Sequence, residues 1–594
     1  MPGDLTRRSW LTCLGLGSLG FAQGATPVSD PLKTLVRTHP RLIASDADLE
    51  RIRALIRENA LARKLYTGLT RDADKLIAAP PPDPKHEPPR LTGRRLLDRI
   101  YTLGLLFRLD AKPAYLEQAL KDLRAAAALP MWHRSFFAEA AETTHAFAIA
   151  YDWLFVSLAP SDRSLFVDAM VQKGLQPAAV AYNEPAGWVT ATHAGNLVCN
   201  CGVALGALAV AEEVPDLATR ILNQMLSSVP RAAADYAPDG SRPDGPTAWH
   251  WATRALALLI AGLDTALESD FGLSNQRGLD RAGRFQLYIS GPTGRSFNYA
   301  ESTEDPGATP ELFWLARRYR QNVLAWTEQR EAEREQHPAP LDLIWFFKEA
   351  RSPAAENWPL DAIFPNAEVA TLRTSWDDPN ALFVAVKAGD NKLEHAHLDL
   401  GSFVLDAGGV RWALDLGADD SAAAGRGRFA SFKTRTESHN TLLIDGENQS
   451  PRGDGRIARH EFGADLSWVE LDLTGAYAGK LKQWRRRVGL AQRHAVLVHD
   501  QITTEQPVEV LWAMMTGADV TFKGQTAELV KDGWNLTAEI HSPRHAVFDV
   551  VTSGSTKRLV VRLGMKVTDL DLNIILTPWK AGQTKPKTTV RFPA

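Results

Sequence analysis

The segment Glu394-His395-Ala396-His397-Leu398-Asp399 sets two imidazoles and a carboxylate at alternate positions. Read as a β-strand, it sends His395, His397 and Asp399 to one face, because successive strand residues alternate sides. Such groups are costly to bury unless they are engaged, and holding a metal ion engages them. Histidine is also the commonest metal ligand among side chains. Asp415, in Leu414-Asp415-Leu416-Gly417, and His439, in Glu437-Ser438-His439-Asn440-Thr441, fit the same use. The plain alternative is a row of ordinary polar positions at a sheet edge.

The elements that must position these residues divide the chain by period. From about residue 31 to 350 the apolar spacing is helical: Leu96, Ile100, Leu103 and Phe107 recur on one face. Further helices are expected through Phe136–Leu158, Ala194–Glu212 and Trp249–Leu267, many of them rich in alanine, which favours close helix packing. Pro80–Pro89 reads as an exposed loop. From about Ala367 the period becomes two, as in Leu382–Val386, Ala495–Val498, Val508–Trp512 and Leu559–Leu563. Turn residues separate these runs, and the pattern predicts a large antiparallel β-sandwich over 365–594. The boundary is expected near Arg351–Phe364, where Pro353 and Pro359 sit.

Composition narrows the function. The 594 residues are enough for two or more domains, and a formal charge of −3 supplies no basic field for nucleic acid. Arg7-Arg8, the apolar run Trp10–Ala22 and the small residues up to Ala25 resemble a cleaved export signal over residues 1–25, with a twin-arginine start. That implies a periplasmic or secreted protein. The run is short for a membrane span, and no later segment is apolar for long enough to be one. Of three cysteines, Cys13 leaves with the signal; Cys199 and Cys201 are too close on one helix to bridge, and too close for zinc spacing.

In order along the chain, several stretches resemble the heparinase II/III-like polysaccharide lyases. They are His39-Pro40-Arg41-Leu42, Ala150-Tyr151-Asp152-Trp153-Leu154, Asn196–Asn200, Arg373-Thr374-Ser375-Trp376, His395–Phe403, Asp415-Leu416-Gly417 and Arg435–Thr441. The ordered set is specific, and each piece alone is weak. The resemblance implies an incomplete α/α toroid followed by an antiparallel β-sandwich, with the active cleft between them. It implies β-elimination on a uronic-acid polysaccharide. The proton to be removed lies on C5 beside the uronate carboxylate. A donor must neutralise that carboxylate as charge builds, a base must take the proton, and an acid must protonate the leaving oxygen.

The resemblance also implies roles for particular residues. His397, Asp415 and His439 become metal ligands, for a structural zinc, with Asp399 a weaker candidate. His395 becomes the cleft histidine that binds or neutralises the carboxylate, or else a support for the metal. His193 and Asn196 match the neutraliser region at a helix start, where backbone donors favour an anion. Arg242 and Arg435 are candidates for the anionic subsite. Trp188, Trp249 and Trp251 are candidates for stacking on sugar rings.

The chain departs from the family pattern where a catalytic tyrosine is expected. After Asp239–Pro246 the sequence reads Thr247-Ala248-Trp249-His250-Trp251. His250 is the nearest group able to move a proton, with Tyr299 and Tyr236 as the other candidates. Phe429 and Phe432 stand where some members carry a second tyrosine. Two alternatives therefore accompany the lyase reading. One is a glycoside hydrolase drawing its carboxylates from Asp239, Asp244 or Glu142. The other is a glycan-binding relative without catalysis. The polysaccharide and the oligomeric state are left open.

Overall fold

The computed structural model describes residues 30–86, 91–133, 136–419, 427–553 and 556–593. The expected export signal, residues 1–25, lies outside them, as do residues 87–90 at the end of the proline-rich stretch. Helices run from Asp46 to Ile344, and strands from Ala362 to Lys580. Among the described residues no helix is long and apolar enough to cross a membrane.

The helical part is an incomplete α/α toroid whose first helix starts where its sequence supplies a cap. Ser45 accepts from the Asp48 amide while the Asp48 carboxylate accepts from the Ser45 amide. Just before it, the Asp152 carboxylate accepts from the amides of Arg41 and Leu42 at 2.9 and 2.8 Å. Arg41 in turn donates to the Leu208 carbonyl at 2.7 Å and reaches Glu212 just beyond that helix at 2.6 Å, so the opening segment is riveted to two later helices. The helix Phe137–Trp153 is buried on all sides from Ala140 onward. It packs closely on Ala194–Ala209, because Gly202 brings the two backbones together. A Cβ at Gly202 would lie 2.0 Å from the Ala141 carbonyl oxygen. The helix Pro246–Leu267 packs against Ala194–Ala209 as well; it begins with proline at its first turn, ahead of the expected Trp249.

The C-terminal part holds three antiparallel sheets of five, nine and four strands. Their apolar faces share a core around Trp412, Trp484 and Trp512, each fully buried. Burying side chains of that size contributes about 1.5–3 kcal/mol apiece. Arg486 is also buried there, paired with Asp500 at 2.7 Å and donating to the carbonyls of Gly401 and Asn440. Arg485 and Arg487, its sequence neighbours, pair with Glu470 on the opposite face, as strand alternation requires.

The two halves are joined by polar contacts. Arg373 donates to the carbonyls of Tyr288 and Ser290, and Arg411 to those of Ser296 and Arg295. Asn298 donates to the Asp415 carbonyl at 3.2 Å, and Asn366 to Asp239 at 3.1 Å. The toroid therefore presents one face to the β-domain at a fixed orientation.

Candidate functional site

The Glu394–Asp399 segment is not a strand. It is a turn between the strand Gly389–Asp390 and the strand Phe403–Ala407. Asn391 opens the turn, its amide donating to Gly453 and its side chain to Ser450. His395 adopts φ 67°, a left-handed conformation uncommon outside glycine, and this reverses the chain. Glu394 and His395 are exposed, whereas His397 and Asp399 are fully buried. The three expected ligands thus do not share one face: His395 points to the cleft, and the other two point inward.

Beneath the turn, His397, Asp399, Asp415 and His439 form a buried cluster. One oxygen of Asp399, one of Asp415 and one ring nitrogen of His439 all lie within 4.8 Å of one another. The His397 and His439 rings are 5.3 Å apart, and His397 Nε2 is 3.3 Å from Glu301 Oε1. Among the described residues, three atoms of the cluster are buried without a hydrogen-bond partner: His397 Nδ1, Asp399 Oδ2 and His439 Nε2. Unpaired buried polar atoms are costly, and one cation would engage all three kinds. Mixed imidazole and carboxylate donors suit zinc. The tight group contains Asp399 where the family resemblance named His397; Asp399 is held by Lys387, a partner the sequence reading did not name. Burial alone would raise the Asp415 carboxyl, but the His439 ring 3.2 Å away outweighs it and holds the group below its ordinary value. Burial would likewise lower His439, and Asp415 reverses this, holding it above.

Above the cluster, an open cleft of about 730 Å³ separates the toroid from the turn. Its toroid side carries Phe137, Val180, Trp188, His193 and Asp244, and its β-domain side Glu394 and His395. Trp188 stacks on Phe137 at 5.0 Å. His193 caps the helix Ala194–Ala209, its Nδ1 accepting from the Gly195 amide at 3.1 Å. A neutral ring bonded in that way carries its proton on Nε2. That nitrogen is 3.3 Å from Glu394 Oε2, across the cleft.

Several expected site residues lie elsewhere. Asn196 is fully buried; its amide donates to Trp188 O, Val189 O and Ser228 Oγ, and its oxygen accepts from Asn200. It orients the wall of the cleft without facing it. Arg242 is buried between Asp235 and Asp244, at 3.0 and 3.2 Å, so its charge is spent inside the toroid. Trp249 is a core residue donating to Gly240 O at 3.2 Å. Tyr299 is buried with its hydroxyl on Arg242 O at 2.9 Å, and burial pushes that hydroxyl well above its ordinary range. Tyr236 is engaged with Thr253 at 2.8 Å. Arg435 is half-buried and paired with Glu437. His250 sits 2.6 Å from Glu311 and faces a different cavity, and burial lowers its pKa. Glu394, which sequence reasoning passed over, stands inside the quoted segment; its position beside two histidines was the available signal.

The segment 359–571, which carries the turn and the buried cluster, matches the family described as heparinase II/III-like, C-terminal. The C-terminal domain belongs to the heparinase II/III-like family. Whole-chain likeness extends to solved structures. A heparan sulfate lyase, HepC, from Pedobacter heparinus is 15% identical, with a TM-score of 0.58 over 92% of this chain and 93% of that one. A structure of heparinase III is 12% identical, with a TM-score of 0.60 over 82% of this chain and 77% of that one. At such identities the likeness is one of fold, and it takes in the toroid as well as the heparinase II/III-like domain. No curated protein sequence matches the chain.

Proposed function

We propose that this chain is a polysaccharide lyase that cleaves a uronate-containing glycan by β-elimination in the cleft between its toroid and its heparinase II/III-like domain. The observation that carries the reading is the meeting of His193 with Glu394 beside His395. Two imidazoles from different domains line one cleft, and one of them already engages a carboxylate. In this reading His193 donates from Nε2 to the uronate carboxylate, which takes the place of Glu394. Charge developing on that carboxylate as C5 loses its proton is stabilised there. His395 is the base for the C5 proton. The C4–oxygen bond breaks, the C4–C5 double bond forms, and the leaving oxygen takes a proton from water in the open cleft. Phe137, Val180 and Trp188 supply the apolar wall for sugar rings.

The buried cluster is proposed as a structural zinc site held by Asp399, Asp415 and His439, with His397 beside it. When bound, the ion would supply a fixed positive charge that ties the turn to the segment 436–439. The chain's own residues do the chemistry; the cluster sets where Glu394 and His395 stand. The nearness to a heparan sulfate lyase and a heparinase in fold supports a glycan substrate, as does the family of the C-terminal domain.

A non-catalytic glycan-binding reading is favoured by one observation: the hydroxyls of Tyr182, Tyr236 and Tyr299 are all engaged within the toroid. The hydrolase reading fares less well. Asp244 is held by Arg242, Glu142 by Arg94, and Asp239 accepts from Ser241 and Asn366. The test is incubation of the purified protein with a panel of uronate glycans, following ultraviolet absorbance of unsaturated ends together with reducing ends. A lyase raises both, and His193→Ala and His395→Ala each abolish the rise. Reducing ends without absorbance mean hydrolysis, and saturable binding without product means the binding relative.

A further inference from the structure

A second cavity, of about 540 Å³, lies on another side of the helix Pro246–Leu267 and is lined only by residues of the toroid half. Ala248 and Asp244 line the interdomain cleft, whereas Thr247, His250, Trp251 and Arg254 line this one. Asp98 and Thr102 close it from the helix Thr92–Asp110, and Ser296 and Thr303 from a loop.

Its polar groups are arranged for a ligand. Ser296 is fully buried, and among the described residues its Oγ has no hydrogen-bond partner. His250 is more than nine-tenths buried and has Nδ1 2.6 Å from the Glu311 carboxylate, which leaves Nε2 as the nitrogen available for other bonds. Trp251 supplies apolar surface and is fixed by Arg94, whose guanidinium sits 4.1 Å from the ring centre. Asp98 is exposed, and among the described residues its carboxylate makes no hydrogen bond or ion pair. The charges decide the ligand class. Arg94 pairs with Glu142 and Arg254 with Glu311, and both guanidiniums also act on Asp98, so three carboxyls face two guanidiniums and one acidic group is left over. A buried-walled cavity with one spare carboxylate repels an anion and favours vicinal hydroxyls or an ammonium group.

We propose that this cavity is a second carbohydrate site, taking a sugar ring that carries no negative charge, an amino sugar foremost. Asp98 bonds the amine or hydroxyls, Ser296 and His250 offer further polar contacts, and Trp251 packs against the ring. The proposal does not rest on the lyase reading, because no residue of the interdomain cleft takes part.

The test is calorimetric or saturation-transfer binding of glucosamine, glucose and glucuronic acid to the purified full chain. Glucosamine is expected to bind most tightly and glucuronic acid most weakly. Asp98→Asn should weaken glucosamine about tenfold or more, the effect of losing one charge-assisted bond. Trp251→Ala should weaken both glucosamine and glucose, and His193→Ala should leave both unchanged. Should Trp251→Ala fail to fold, Asp98→Asn decides alone, since its side chain is exposed and its shape is kept. Glucuronic acid binding as well as glucosamine would overturn the assignment. So would an absence of glucosamine binding, or glucosamine binding that ignores Asp98→Asn and disappears with His193→Ala.

Discussion

Glu394→Gln isolates the proposed carboxylate subsite. In the structure Glu394 holds His193 at 3.3 Å, with side-chain exposures of 62% and 37%. A contact between a ring N–H and a carboxylate exposed to that degree contributes about 0.2–1 kcal/mol. A uronate that binds His193 must first displace it. Glutamine keeps the shape and removes the charge, so the competing contact weakens by about that amount. The expected result is a KM for a uronate glycan lower by about 1.4- to 5-fold at low salt. The gain should shrink as salt rises, because exposed charges are screened over about 8 Å at physiological ionic strength. The assay is initial rate against substrate concentration at two ionic strengths, with direct binding to the inactive His395→Ala background as a check. A KM that stays level or rises in Glu394→Gln at low salt refutes the idea that Glu394 stands in for the substrate acid.

Asp415→Asn should lose bound zinc, measured by atomic emission on the purified protein, and chelation should lower the melting temperature of the parent but not of the variant. Gly202→Ala should destabilise by about 1–3 kcal/mol in urea unfolding, since its Cβ would meet the Ala141 carbonyl oxygen at 2.0 Å and the two helices must part. Asn196→Ala should cost about 1–3 kcal/mol of stability by orphaning its buried partners, with its effect on Tm rather than confined to KM. Asp342 and Glu328 give a pH dependence. Burial pushes Asp342 up to about 7 although its hydrogen bond with Glu328 acts to lower it, and burial together with the neighbouring Asp342 raises Glu328 well above its ordinary value. A raised carboxyl stabilises the fold below its unfolded value near 4 and loses that contribution as pH climbs to about 7. Asp342→Asn should therefore flatten the fall in melting temperature between about pH 4 and 7.

Much of the architecture was legible because period is a local property. The change from helical to alternating spacing falls where helices end at Ile344 and strands begin at Ala362. The buried cluster was legible from types and order: Asp415 and His439 do meet, at 3.2 Å. The turn at Glu394–Asp399 was not, because alternation of polar and apolar residues there mimics a strand. Only tertiary hydrogen bonds, such as Leu398 to Thr434 O at 3.0 Å, fix the actual path. Direction was the other hidden quantity. Arg242, Trp249 and Asn196 lie close in sequence to cleft residues, yet each points inward, since ion pairs and core packing that span the fold set their orientation. His250 shows the same effect on one helix: its neighbour by two positions, Ala248, faces the other cavity.

The turn that bears Glu394 and His395 is fastened on both flanks. Asn391 is bonded to Ser450 and Gly453, Arg428 donates to the carbonyls of Leu393 and Ala396, and Leu400 is held by Gln449. The tip itself meets the toroid through Glu394, which lies against His193. A chain built in this way can trade one glycan preference for another by changing a single surface letter, Glu394, while the anchored stems and the buried cluster below go untouched. For anyone seeking to redirect this scaffold, position 394 is the place to randomise, with His395 kept, and the cost in folding should be small.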